Sequence, residues 1–90
     1  MTPIQELSHS LRITISRNDS KRLAPHLSGW NHLNEILLLG QITTHDLKRM
    51  VLIEVTGLGR RDIIRKLVAR LKRQEARQLL AHIDLCLKNK

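Results

Sequence analysis

Ninety residues give one domain with a core large enough to fold but modest in stability. A formal charge of +8 and a pI near 10.9 favour polyanionic partners, while a single cysteine excludes a disulfide framework and a cysteine-rich zinc site. One tryptophan and no tyrosine or phenylalanine argue against an all-β fold and against single-strand binding by base stacking.

In chain order, Thr2-Pro3-Ile4-Gln5 is a helix start, with Thr2 as cap and Gln5 closing a capping box. Ile4, Leu7, Leu11 and Ile15 follow at helical spacing, so the first helix is expected to run to about Ile15. Ser16 to Ser20 is rich in turn formers and reads as a polar break. Leu23, Leu27, Trp30, Leu33 and Leu37 carry a further helical stripe, interrupted by Pro25 and Gly29. Two arrangements fit it: a short turn followed by a helix from about Trp30 to Leu39, or one kinked helix. Trp30 is expected as a core filler, although tryptophan is also favoured at binding hot spots. Gln41-Ile42-Thr43 is expected as a short extended link.

Thr43 or Thr44 caps the next helix, whose apolar stripe is Leu47, Val51, Leu52 and Val55. Gly57 is expected to end it in the left-handed conformation. After Gly57-Leu58-Gly59, a second stripe of Ile63, Ile64, Leu67, Val68 and Leu71 begins. Two amphipathic helices joined by so few residues cross steeply, as in a helix-turn-helix. From Gly57 to Arg77 there are eight basic residues against Asp62 and Glu75, a surplus of +6. On one continuous helix, Arg61, Arg65 and Lys72 fall along one edge of the polar side. Lys66, Arg70, Arg73 and Arg77 fall along the other, with only Asp62 and Ala69 between them. Such a helix can enter a groove while its basic edges reach opposite phosphate backbones. Ala76, Leu79, Leu80, Ile83, Cys86 and Leu87 form a last amphipathic segment. Whether residues 60–88 are one helix or two is left open by the sequence.

The run Val55-Thr56-Gly57-Leu58-Gly59-Arg60-Arg61-Asp62-Ile63-Ile64-Arg65-Lys66-Leu67 resembles the turn and recognition helix of bacterial and phage helix-turn-helix regulators. Gly57, Leu58 and Ile63 fill the places of that pattern's turn glycine and two apolar residues. Ile36 to Thr43 is similar to the first helix and short connecting strand of the winged-helix variety. The resemblance covers about half the chain and is at superfamily level.

Other chemistry finds little support in the residues. His82 and Cys86 stand one helical turn apart, but no spacing supplies two more ligands for a metal. Cys86 lies on an apolar face, unsuited to a reactive thiolate, and no carboxylate pair or phosphate-cradling loop occurs. No enzyme activity, cofactor, metal or small-molecule ligand is therefore expected. Without a signal peptide or an apolar membrane span, a cytoplasmic, nucleoid-associated location is expected.

The expectation is a small all-α domain of four to five helices with a central helix-turn-helix and no substantial sheet. Residues 1–40 would form N-terminal helices, 41–73 the helix-turn-helix, and 74–90 a C-terminal helix. Its expected partner is double-stranded DNA, read by a recognition helix at about residues 59–73 lying in the major groove of a small transcriptional regulator's site. Arg60, Arg61, Asp62 and Arg65 would meet base edges, and Lys66, Arg70, Lys72 and Arg73 phosphates. Thr44, Lys48 and Arg49 would hold the backbone from the neighbouring helix. A homodimer through the N- or C-terminal helices would widen the contact. The alternatives are a basic helical module that docks on an acidic protein, as an adaptor or an inhibitor of a nucleic-acid enzyme, and a structured-RNA binder.

Overall fold

The computed structural model describes residues 3–31, 40–71 and 73–88, and the side chains of all of these except 3 and 73–78. Five helices occur among them and no strand: α1 (Pro3–Leu11), α2 (Arg17–Ser28), α3 (Thr44–Thr56), α4 (Arg61–Val68) and α5 (Arg73–Lys88). The all-α class expected from the sequence is what the chain adopts. The radius of gyration, 12.1 Å, is that of a compact chain of this length.

Helix α3 is the axis of the fold, and packs against each of the other four. Its position explains its composition: Leu47, Met50, Val51, Leu52 and Val55 are all buried, a wider apolar surface than one stripe. Helices α1 and α5 pack together on one side, α2 covers another, and α4 closes the remainder. Leu7 and Leu11 of α1, Leu23 and Leu27 of α2, and Leu79, Ile83 and Cys86 of α5 complete one continuous core.

Helix α1 stops a turn earlier than the apolar spacing predicts. Arg12 adopts a left-handed conformation (φ 54°) immediately after Leu11. The Arg12 N–H then donates to His9 O at 3.0 Å and the Ile13 N–H to Ser8 O at 3.3 Å. This closes the helix end in the Schellman manner. The Ser8 hydroxyl donates to Ile13 O at 2.7 Å and secures the exit. Ile13 is buried and Ile15 half-buried, so both serve the core from the irregular segment after the helix.

The expected polar break at Ser16–Ser20 is instead the start of α2. Ser16 caps it, accepting from the Asp19 N–H at 3.2 Å, while Asp19 accepts from the Ser16 N–H at 3.1 Å. Asp19 plays the part that Glu or Gln has in the usual capping box. The helix passes through Pro25 and ends at Gly29. Trp30 is half-buried against the core. The helix expected to reach Leu39 lies, from residue 32 on, outside the described residues. Gly40 to Thr43 forms a turn and an irregular link without a strand.

Candidate nucleic-acid interface

The joint between α3 and α4 is built by backbone hydrogen bonds and one buried carboxylate. Thr43 caps α3, its hydroxyl accepting from the Asp46 N–H at 3.2 Å. At the other end, the Gly57 N–H donates to Ile53 O at 2.9 Å and the Gly59 N–H to Glu54 O at 2.7 Å. The left-handed residue is Gly59 (φ 66°), not Gly57 as the sequence pattern suggests. Space at Gly57 is tight: a Cβ there would sit 3.0 Å from Ile53 O, so the backbone would have to give by a few tenths of an ångström to admit one.

Glu54 is the one charged side chain buried among the described residues, at 3% exposure. Its carboxylate accepts from the backbone N–H of Arg60 at 3.2 Å, from Arg60 Nε, and from Arg60 Nη2 at 3.2 Å. The same guanidinium donates through Nη2 to Leu27 O at 2.9 Å, tying the joint to the end of α2. The hydrogen bond to Glu54, with the charge of that carboxylate, raises the Arg60 pKa above its ordinary value against the opposing effect of burial. Arg60, expected at a base edge, is thus engaged inside the protein. Its place in sequence gave no sign of this. The available signal was Glu54 itself, an acid standing in the apolar register with Met50, Val51 and Val55.

Helix α4 divides sharply into two faces. Ile63, Ile64, Leu67 and Val68 are buried; Arg61, Asp62, Arg65 and Lys66 are exposed, and Ala69 and Arg70 continue the exposed side just beyond the helix. Four cations therefore face solvent against the single carboxylate of Asp62 on that face. Arg65 and Arg70 have no ion-pair partner among the described residues. Arg61 donates from Nη1 to Asp84 Oδ1 of α5 at 2.8 Å, and both side chains are more than half exposed, at 54% and 57%.

The expected helix at 59–73 is shorter than its pattern. It begins at Arg61 and ends at Val68, where the Arg70 N–H donates to Leu67 O and the Leu71 N–H to Val68 O in tight turns. Leu71 is drawn into the core, and a second helix starts at Arg73. Residues 60–88 are accordingly two helices. The two basic edges drawn on one continuous wheel do not persist, because Arg73 and Arg77 belong to α5. Lys72 lies outside the described residues, as does the side chain of Arg73.

At the start of α3, Thr44 is exposed and Lys48 half-buried. Arg49 joins α3 to α2: its Nη1 donates to Asp46 Oδ1 at 2.8 Å and its Nε lies 3.6 Å from Asp19 Oδ2. Arg22 bridges the same carboxylates, at 2.9 Å to Asp46 and 3.3 Å to Asp19. Two arginines and two aspartates thus neutralise one another across the α2–α3 contact. The Arg22 hydrogen bond, with help from Arg49, lowers the Asp46 pKa to about 2. Asp19 is lowered mainly by the hydrogen bond from the Ser16 backbone, and the Arg22 pKa is raised mainly by Asp46.

Cys86 is buried, and burial raises its thiol pKa. No three His, Cys, Asp or Glu side chains converge on a metal-sized site among the described residues. No helix there is long and apolar enough to cross a membrane. Comparison with protein-family models, with characterised proteins and with solved structures finds no match to this chain.

Proposed function

We propose that this chain binds double-stranded DNA by laying the outer face of α4 in the major groove, as a small cytoplasmic, nucleoid-associated regulator. The observation that carries the reading is the division of α4: four apolar residues wholly buried behind Arg61, Asp62, Arg65 and Lys66. Helix α4 is presented by a short joint fixed at Glu54, so the cations stand on a rigid support. Arg61 and Arg65 have the reach for paired hydrogen bonds to a guanine edge, and Asp62 can accept from a cytosine amino group. Lys66 and Arg70 suit phosphates, with Thr44 and Lys48 approaching from α3. Arg60 and Arg49 support the scaffold in this reading. A homodimer would let two such faces read successive grooves.

The Arg61–Asp84 pair favours a second reading, a basic helical module that docks on an acidic protein. Exposed pairs of this kind contribute up to about 1 kcal/mol, so a phosphate or base can take Arg61 from Asp84. Structured RNA would use the same charges without requiring a groove-sized helix.

Selection from a pool of randomised duplexes tests the proposal. The wild type should enrich a motif, Arg65→Ala should flatten the preference at its position, and Arg70→Ala should weaken all duplexes alike. Enrichment of no motif by the wild type would remove the sequence-specific regulator reading.

A further inference from the structure

We infer that the cleft between α4 and α5 is a docking site for an acidic segment of another protein that carries a branched apolar side chain. Leu80, Asp84 and Leu87 lie at helical spacing on one face of α5, beside Arg61 and Arg65 of α4. Between them, Ile64 and Ile83 form a floor that the core already supports. Leu80 is exposed and Leu87 half-exposed, so the wall of the cleft offers apolar surface to solvent. A duplex backbone has nothing to match that wall; an aliphatic side chain does.

Charge selects the occupant. Arg65 stands at the cleft without an ion-pair partner among the described residues, and Arg61 is held only by the exposed Asp84. A second copy of this chain, itself at +8, would bring its own Arg61 and Arg65 against the same pair in a two-fold contact. A segment with carboxylates flanking one leucine or valine satisfies both parts of the site. Its carboxylates take Arg65 and Arg61 while its side chain lies between Leu80 and Leu87. Occupation then removes both arginines from DNA. That consequence, unlike the docking itself, rests on the DNA-binding reading.

The test uses the full chain, labelled with ¹⁵N, and two synthetic acidic peptides of equal charge, one with a central leucine and one with serine in its place. The leucine peptide should bind about tenfold more tightly and shift the amides of Ile64, Leu80, Ile83 and Leu87. Leu80→Ser should abolish that preference without changing the affinity for the serine peptide. A duplex added afterwards should displace the leucine peptide. Equal affinity for the two peptides, or shifts confined to other surfaces, would overturn the docking site. Simultaneous binding of duplex and peptide would overturn the occlusion. If no duplex binds while the leucine preference persists, the DNA reading fails and the docking site stands.

Discussion

Replacing Glu54 with glutamine keeps the side chain's size and removes its charge at the point where α3, α4 and the end of α2 are joined. Three donors of Arg60 converge on this carboxylate, and the carboxylate is buried. Hydrogen bonds to charged groups contribute roughly 1.5–3 kcal/mol each in favourable settings. The Arg60 side chain is 32% exposed, which screens the pair, and the three bonds are not additive. A loss of about 2–3 kcal/mol is therefore expected for Glu54→Gln, whose amide group also turns a donor toward the guanidinium. For a domain this small that corresponds to a fall in Tm of roughly 10–20 °C. Because breaking one partner of a buried pair costs more than replacing both, Glu54→Leu with Arg60→Met should recover much of the loss. Thermal and urea melts of Glu54→Leu, Arg60→Met and the double variant give the coupling directly. A coupling below about 0.5 kcal/mol, or a Tm for Glu54→Gln within a degree or two of wild type, would refute the role of Glu54 as the fixed point of the joint.

Arg12 occupies a left-handed conformation that glycine adopts without strain, so Arg12→Gly should stabilise the chain by about 0.5–1 kcal/mol, measured by urea unfolding. Gly59→Ala meets the opposite situation and should destabilise it by about 1–2 kcal/mol in the same assay. Asp46 has its folded pKa lowered from 3.8 to about 2 by Arg22 and Arg49, so its contribution is complete above the ordinary value and is lost as pH falls toward 2. Urea midpoints measured from pH 5 to pH 2 should fall more steeply in wild type than in Asp46→Asn. Parallel curves would mean that the pair contributes nothing.

The helical class was legible because buried faces leave a period. Leu47, Val51, Leu52 and Val55, and Ile63, Ile64, Leu67 and Val68, were all recognisable as core positions, and all are buried. Boundaries were harder where local hydrogen bonding outweighs periodicity. Ile15 continues the spacing of α1, yet the Schellman closure at Arg12 ends the helix first. Ser16 and Asp19 look like turn residues and form a cap, because a capping box and a polar loop use the same side chains. The basic helix seemed longer than α4 because no glycine or proline marks its end; the tight turns at Arg70 and Leu71, with Leu71 entering the core, stop it instead. At the candidate interface, Arg61, Arg65, Lys66 and Arg70 are exposed as the pattern suggested. The roles of Arg49 and Arg60 were hidden, since their carboxylate partners are set by the packing of α2 on α3 and by the path of the joint.

The most direct test of DNA binding by the face of α4 is the salt dependence of affinity for a labelled duplex, read by fluorescence anisotropy. With about three phosphate contacts from Lys48, Lys66 and Arg70, affinity should fall by roughly fortyfold between about 50 and 200 mM salt. Arg70→Ala should reduce the slope of log affinity against log salt by about one, while the double variant Glu54→Leu with Arg60→Met should leave it near the wild-type value. An affinity independent of salt, or the absence of binding to any duplex at low salt, would contradict the proposal.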